Sequence, residues 1–569
     1  MNLVLDIETD SVQSKIWMVV TKNLDTGELL CHTEVKTLKP LIEQAELVIG
    51  HNLIGFDAYH LATLWKIPIS PSKCWDTLIV SRLLKPDIAD GHSLEAWGRR
   101  LGSKKIDYTE EYKKQRYDFY LAPNYAYKDK EEWDDPLLPL MQEYCEQDVE
   151  LTAKLFTELK KQLKSQKFSD YSVELEHQVA WIVAQQVRNG VLIDQRALML
   201  LKAEVEDELA TLTNKMVAEF EPNVIQLKTK VKTTPFNPGS RMQIIERLKA
   251  RGWVPTEFTE KDNVVLDEEI LKAMDIPEAK VFLRFFELQK INSFLTNWDD
   301  KIEQDGRIHG RVITNGAVTG RMTHSSPNLG QVPSAQTELG KRCRALFIVP
   351  EGCSMVGIDA SGLELRMLAH YMQDQDYIKA VCEGKSSEGT DVHSINQRAA
   401  GLDTRDQAKT FIYAFLYGAG SEKIGSIAGG GSHKGTQLIN SFLEGTPALQ
   451  DLRTKVKKFA EKGSLPGLDG RRLYVRSPHK ALNTLLQGAG AAVMKEALCI
   501  LVADLDAEKV PYKMLINCHD EWQIETPTDY AEQVGKLGRR AIQDAGQRLG
   551  LRCPLDGEYK IGSSWAETH

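Results

Sequence analysis

Residues 404–420, TRDQAKTFIYAFLYGAG, constrain the fold more than any other stretch of this chain. They read as one helix. Thr404 can cap its N-terminus, and Gln407 three residues on completes a capping-box pattern. Gly418 and Gly420 stop it. Between these limits Arg405, Lys409, Tyr413 and Tyr417 recur at every fourth position. Residues four apart share a helix face, at about 6 Å per step. One face therefore carries two cations followed by two phenols. The cations lie toward the N-terminus, where they oppose the macrodipole, and an anion between them would relieve the conflict. A triphosphate before Arg405 and Lys409, with a flat ring system over Tyr413, fits this spacing. A solvated basic edge with two half-buried tyrosines fits it equally.

The rest of the chain has room for several domains: 569 residues correspond to roughly three or four. Its 42% hydrophobic and 27% charged content is that of an ordinary soluble globular protein. A net charge of −9 does not exclude nucleic acid as a partner, since such enzymes need a local basic surface rather than a basic total. The nine cysteines show neither CxxC nor zinc spacing. Cys31, Cys145 and Cys518 read as reduced small hydrophobes of a cytosolic compartment. The start, MNLVLDIETD, reads as a strand without the basic flank of a signal peptide. No apolar run reads as reaching bilayer-spanning length.

Acids recur in ordered pairs. Asp6 and Glu8 stand two apart in an apolar strand pattern, so both point to one face. Buried paired acids are costly without a cation beside them. A strand over 47–49, a polar turn and a helix carrying Asp57 follow, then a helix with Asp76 near its start. Farther on, Tyr144 and Asp148 share a face of an amphipathic helix. Asp6, Glu8, Asp57 and Asp148 with Tyr144 fit a site for two divalent cations about 3.5–4 Å apart, of the kind that hydrolyses phosphodiesters. Oxygen-only ligands favour Mg²⁺ or Mn²⁺ over zinc.

Residues 171–221 read as a long helical arm. Lys228, Lys230 and Lys232 alternate beyond it, and Ser240 and Arg241 open the next helix, whose N-terminus is suited to a phosphate contact. Residues 311–333 are dense in Gly, Ser, Thr and Asn around Arg321, as in loops that track a nucleic-acid backbone and minor groove. In SMVGIDASGLELRMLAHYM a strand ending at Asp359 runs into a helix with Glu364 in its first turns. YKMLINCHDEWQIETP reads as two alternating strands joined at His519, Asp520 and Glu521. Two strands ending in acids could set Asp359 beside Asp520 as a second two-cation site.

The ordered set DxE, NxxxxD and YxxxD resembles the 3′–5′ proofreading exonucleases of the DEDD superfamily, tyrosine subtype. DASGLELRMLAHY, RDQAKTFIYAFLYG and HDE resemble motifs A, B and C of family A DNA polymerases. TGRMTHSSPNLGQVP, DVHSINQ, SPHKALNTLLQGAGA and the terminal SSWAETH are similar to the replicative polymerases of short-tailed bacteriophages. The resemblance implies an α/β chain: a ribonuclease H-like exonuclease domain over about 1–165, a thumb with connecting helices over about 166–310, and a palm and fingers domain over about 311–569, fingers about 385–465. It implies DNA-directed DNA polymerisation from a primer 3′ end, with proofreading. Asp6, Glu8, Asp57 and Asp148 would be metal ligands, with Tyr144 orienting the attacking water. Asp359, Asp520 and the carbonyl of Ala360 would hold metal in the polymerase site, with Glu521 a supporting acid. The implied cofactor is Mg²⁺, two ions per site, with Mn²⁺ able to substitute. Arg405, Lys409 and His393 would hold the nucleotide phosphates. Glu364 would be the steric gate against a ribose 2′-OH. Tyr413 would stack near the incoming base and sugar, and Tyr417 would line the templating position. Arg321, Gln487 and His519 would reach the primer–template minor groove or primer end.

The implied partners are primer–template DNA, deoxynucleoside triphosphates and a replisome helicase–primase. The implied setting is a monomer in the cytoplasm, that of the host cell if the chain is phage-encoded. Part of this phage branch binds host thioredoxin through a thumb insertion. Here the equivalent stretch, 220–236, is too short, so thioredoxin is not expected. Because the sequence opens on the exonuclease strand, a preceding 5′–3′ nuclease domain is not expected. The rival readings are a gap-filling repair polymerase, a single-subunit RNA polymerase and a DNA-binding remnant. Glu364 and the exonuclease acids oppose the RNA polymerase, and the intact set of acids opposes the remnant.

Overall fold

The computed structural model describes residues 1–117, 121, 128–226, 230–259 and 261–569. At the N-terminus, strand Asn2–Thr9 divides its side chains between two cores. Leu3, Leu5 and Ile7 enter one core; Val4 points the other way, toward Cys145 and Val149 of helix Leu138–Gln166. Period-two alternation thus sends Asp6 and Glu8 to the helix side. The sheet order is Leu29–His32, Ile16–Asn23, Asn2–Thr9, Leu47–Gly50, Cys74–Asp76. Its first three strands pair antiparallel and its last two join in parallel. This is the expected ribonuclease H-like arrangement.

The long arm read over 171–221 is interrupted. Gly190, at φ +59, ends helix Asp170–Asn189, and Val191–Ile193 forms a short strand before helix Gln195–Glu219. Helix propensity yields here because the apolar Val-Leu-Ile run pairs with Phe347–Ile348 and Arg307–Ile308. Helix Gln195–Glu219 packs on helix Pro277–Asp299, where Arg284 holds Glu208 through two bonds of 2.8 Å. Phe220, Phe236, Phe282 and Met216 fill the distal end. Beyond them Asn223–Gln226 and Val231–Thr234 close on each other as an antiparallel hairpin. Lys230 and Lys232 are exposed there; Lys228 lies outside the described residues.

A second sheet is antiparallel throughout, in the order Lys513–Cys518, Glu521–Pro527, Cys353–Ala360, Gly557–Gly562. The alternation expected of its central hairpin does not appear, and nearly every position is buried. Both faces are covered: Val356, Ile358, Trp522 and Ile524 face one core, and Met355, Leu515 and Ile516 face another. The stretch Pro478–Ala507 corrects a further expectation. It is helical, long and apolar enough to cross a bilayer, with a mean hydropathy of 1.6 over its best window, 83% of which is buried inside the protein. Its apolar character serves the core.

Helix Asp170–Asn189 joins the two sheet systems. Its Glu176 lies between Arg471 (2.7 Å) and Lys495, and Arg471 also holds Asp469 at 2.6 Å. Two cations and two acids, all nearly inaccessible, neutralise one another; removing any one strands a buried charge, at a cost of about 3–5 kcal/mol. Ser169 bonds the backbone at Asp469 and Gly470, so the same hairpin grips the start of the helix.

Candidate active sites

The first acidic centre is built by three elements. Asp6 and Glu8 project from the central strand toward helix Leu138–Gln166. Asp57 begins helix Asp57–Leu64, and its Oδ1 accepts from Ile7 N at 3.2 Å, which fixes it against the strand between Asp6 and Glu8. Helix Leu138–Gln166 brings Tyr144 and Asp148. Lys105, from the loop before helix Tyr108–Gln115, meets both: its Nζ is 2.7 Å from Asp148 Oδ2 and donates to Tyr144 OH at 2.7 Å. It also lies over the Tyr144 ring, 4.2 Å from the centroid. Lys105 escaped the sequence reading because it sits in no periodic pattern beside another lysine; only tertiary packing singles it out.

Electrostatics mark this centre as under-neutralised. Burial, then the Asp148 charge, pushes Asp6 up to about 7, with Lys105 pulling the other way. Burial likewise raises Glu8, Asp57 and Asp148. Asp148 Oδ1 is buried without a partner. Donor atoms of Asp6, Glu8 and Cys145 lie within 4.8 Å of one another. Of the four acids only Asp6 and Glu8 share this tight group, with Asp57 and Asp148 near enough to act on them by charge; carboxylates set against one lysine, with an orphaned oxygen, suit hard divalent cations. Asp76, by contrast, is structural: its carboxylate caps its helix at Leu78 N and holds Asn52 N and Ile54 N.

The second centre lies at one end of the antiparallel sheet. Asp359 stands opposite Glu521 in one register and Glu558 in the other. The turn places Asp520 next to them, with Ala360 N donating to Asp520 O at 3.1 Å. His519 adopts φ +58, which tightens the turn. Asp359 is exposed at the sheet end, at the mouth of the cleft between this sheet and helix Arg405–Leu416; partial desolvation, then the charges of Asp520, Glu521 and Glu558, raises its carboxyl to about 7. Burial raises Asp520 too, opposed by its own backbone and by Arg321. Such a pair again accommodates cations.

Glu521 behaves differently. Burial would raise it, but His569, Gln523 and Trp565 outweigh burial and hold it below the ordinary glutamate value. His569 Nδ1 is 2.6 Å from Oε2, and Trp565 Nε1 donates to Oε1 at 2.6 Å. The terminal residue is thereby seated on the acidic strand. Glu521 is engaged with the protein and not with the cleft.

Helix Arg405–Leu416 carries the expected capping box at Thr404 and Gln407. Tyr417 ends it and Gly418 leaves at φ +75. Tyr417 OH lies 2.8 Å from both Glu364 oxygens, and Arg321 is 3.3 Å from Glu364. These contacts fix the Glu364 side chain at the cleft. Tyr413 packs against the main core, its ring 6.4 Å from that of His393. Arg405 differs from the expectation of a free cation: Asp391 pairs with it at 2.7 Å, an acid the helix pattern alone does not reveal. Lys409 is exposed and has no ion pair among the described residues. Buried His393 Nδ1 has no partner.

Arg321 and His519 line one small cavity with Ala491 and Met494. Gln487 lies one turn before Ala491 on the same face of helix Ala481–Ala507. The loop around Arg321 is more ordered than expected: Arg311–Ile313 pairs with Thr323–Ser325, and Asn315 donates to the Ile79 carbonyl of the N-terminal module at 3.1 Å. Ser240 caps helix Arg241–Ala250 through Gln243 N. Arg241 lines a groove of about 760 Å³ with Lys423. The structure thus keeps Ser240 and Arg241 on the arm, apart from the acids.

The family model for DNA polymerase family A matches residues 202–567, and that for 3′–5′ exonuclease matches residues 5–164. The DNA-directed DNA polymerases of Enterobacteria phage T3 and Escherichia phage T7 are each 32% identical, over 94% of this chain and 94% of theirs. A thermostable DNA polymerase I of Thermus aquaticus is 30% identical over 69% of this chain and 48% of its own. Among solved structures, the POL domain of Pol1 from M. smegmatis, in complex with DNA primer-template and dNTP, matches with a TM-score of 0.80. That match covers 100% of this chain and 96% of the other at 18% identity, a likeness of fold. The chain therefore belongs to DNA polymerase family A and is a DNA-directed DNA polymerase with a 3′–5′ exonuclease domain.

Proposed function

We propose that the chain extends a DNA primer on a template with deoxynucleoside triphosphates at the Asp359–Asp520 centre and removes misincorporated 3′ ends at the Asp6–Glu8–Asp57–Asp148 centre. The observation that carries this reading is the register that sets Asp359 and Asp520 side by side, facing the helix of Arg405, Lys409, Tyr413 and Tyr417. Family A polymerase and exonuclease domains are metal dependent; two Mg²⁺ ions per centre, replaceable by Mn²⁺, suit these acids. Asp359, Asp520 and the Ala360 carbonyl would hold one pair, and the four N-terminal acids the other. Bound there, the cations would lower the pKa of the attacking hydroxyl or water and neutralise phosphate charge.

The protein's own groups do the rest. Lys409, exposed and without an ion pair among the described residues, offers a donor to the phosphates with His393 beside it, and Arg405 joins them by leaving or sharing Asp391. Glu364, clamped by Tyr417 and Arg321, fills the space a 2′-OH would occupy. Arg321, Gln487 and His519 read pair geometry in the minor groove. Ser240, Arg241, Lys230 and Lys232 contact phosphates upstream. Glu521 positions Asp520 without ligating metal. This reading divides the chain into about 1–165, 166–310 and 311–569, with fingers at about 385–465. A replicative role in a phage-infected cytoplasm, as a monomer served by a helicase–primase, fits the two phage relatives. Gap-filling repair is the second reading, favoured by the likeness to a DNA polymerase I. The RNA polymerase reading gains no support, because the matched family is of DNA polymerases. Extension and degradation of one labelled primer–template in Mg²⁺, with and without nucleotides, tests the whole assignment.

Three outcomes follow. Lys105→Met should lower 3′–5′ digestion about 10–100-fold, the usual cost of losing a group that orients metal-site residues, with extension unchanged; equal digestion by both proteins would remove Lys105 from the site. Tyr413→Phe should raise resistance to dideoxynucleotides about two- to tenfold, the worth of one hydrogen bond; an unchanged incorporation ratio would count against its place beside the sugar. Thioredoxin should leave the length of product per binding event unchanged, since strands Asn223–Gln226 and Val231–Thr234 already pair with each other.

A further inference from the structure

Two cysteines meet behind the polymerase centre. Cys382, partly exposed, ends helix Gln375–Cys382; Cys553 is fully buried in the segment leading to strand Gly557–Gly562. Their sulfurs are 3.6 Å apart. They are the one pair of thiols in contact among the described residues. Arg366 Nη1 donates to Cys382 Sγ at 3.5 Å and also to the Pro554 carbonyl, while its Nε donates to Ser361 O at 2.7 Å. One guanidinium therefore touches the outer thiol, the backbone beside the inner thiol, and the residue that follows Ala360. Cys382 is the partly exposed thiol of the pair, the one an oxidant from solvent reaches first. The Pro554 carbonyl accepts from both thiols, at 3.9 Å from Cys382 Sγ and 3.8 Å from Cys553 Sγ.

We propose that Cys382 and Cys553 form a reversible disulfide that slows nucleotide addition. The oxidant is a peroxide. Cys382 thiolate attacks one peroxide oxygen, the O–O bond breaks, and hydroxide leaves and takes up a proton, giving a sulfenic acid. Cys553 sulfur then attacks the sulfenic sulfur; the S–O bond breaks and water departs with the Cys553 proton. Two thiols and one hydrogen peroxide become one disulfide and two waters.

The consequence follows from what the cysteines are attached to. A disulfide needs sulfurs about 2.05 Å apart, so the two sulfurs must close by about 1.5 Å, through rotation of the side chains and movement of the elements that carry them. On one side is the segment whose Asp556 carbonyl receives Ser361 N at 3.0 Å and whose Glu558 stands opposite Asp359. On the other is the link to Asp391 and His393, held tightly at Gly384, where a Cβ would lie 2.5 Å from Asp391 Cα. Closing the gap pulls the acid-bearing strand and the phosphate-binding residues toward each other. A misplacement of about 1 Å at a reacting centre can cost about 10²-fold, so a loss of extension of at least about tenfold is expected. The N-terminal centre shares none of these elements.

The test treats the full-length protein with hydrogen peroxide without reductant, then maps peptides and assays both activities. The expected result is a Cys382–Cys553 cross-linked peptide, slower extension that dithiothreitol restores, and unchanged 3′–5′ digestion. C382S, at the exposed end and the safer variant for folding, and C553S should both lose the cross-link and keep their extension rate under peroxide. Absence of the cross-linked peptide, a cross-link with unaltered extension, or equal peroxide sensitivity in C382S would each overturn the proposal.

Discussion

Asp520→Ala removes primer extension, by on the order of 10³-fold or more, and leaves 3′–5′ digestion of single-stranded DNA intact. The size follows from the chemistry: a carboxylate that holds cations against developing phosphate charge supports several kcal/mol of transition-state stabilisation, and each 1.4 kcal/mol is about tenfold. The selectivity follows from architecture. Asp520 sits in the turn of the antiparallel sheet, while the centre proposed for digestion is carried by a different sheet with its own two cores. The variant should also fold, because alanine at this turn removes a charge whose burial is unfavourable. Single-turnover extension alongside a digestion time course decides the matter; extension at wild-type rate would refute the assignment of Asp520.

Asp6→Ala with Glu8→Ala gives the opposite pattern: digestion falls on the order of 10³-fold or more, for the same reason, and extension persists. A second readout does not depend on activity. Burial raises both carboxyls, Asp6 to about 7 and Glu8 well above its ordinary value. A folded-state pKa above the unfolded value gives stability that is present at low pH and lost as pH rises through the folded pKa. The metal-free wild-type protein should therefore lose thermal stability as pH rises from about 4, the ordinary carboxylate value, to about 7, the raised Asp6 value, and Mg²⁺ should restore it most at the alkaline end. The double variant should melt higher than wild type at pH 8 without metal and respond less to Mg²⁺. A melting curve in which Mg²⁺ stabilises both proteins equally at pH 8 would sink the metal role of this pair.

The two predictions rest on residues whose positions were legible for different reasons. The helix of Arg405 to Tyr417 and the strand of Asp6 and Glu8 are local objects. A capping box and a four-residue repeat specify a helix face, and a two-residue repeat specifies a strand face. Asp57, Tyr144 and Asp148 were readable as motifs, and their convergence required only the sheet order. The motifs also carried the family, since their residue types and spacing are specific. Other features came only with the three-dimensional arrangement. Gly190 broke an otherwise helical arm because an apolar tripeptide found strand partners far along the chain. The apolar helix of 481–507 proved to be a core element because other elements surround it, which composition cannot express.

By itself, then, the sequence determined which side chains share a face: Arg405 with Lys409 and Tyr413, Asp6 with Glu8, Tyr144 with Asp148. Backbone periodicity fixes these relations whatever the rest of the chain does. Only the tertiary structure decided how those faces are neutralised and braced. Lys105 bridging Tyr144 and Asp148, Asp391 gripping Arg405, His569 seated on Glu521 and Arg366 beside Cys382 all join residues from separate elements. A charge takes its partner from whatever packing brings within about 3 Å, and Coulomb energies in a protein interior depend steeply on that distance and on burial. Neither quantity is written in local spacing, so the acids and cations could be read in the chain while their counter-charges waited on the fold.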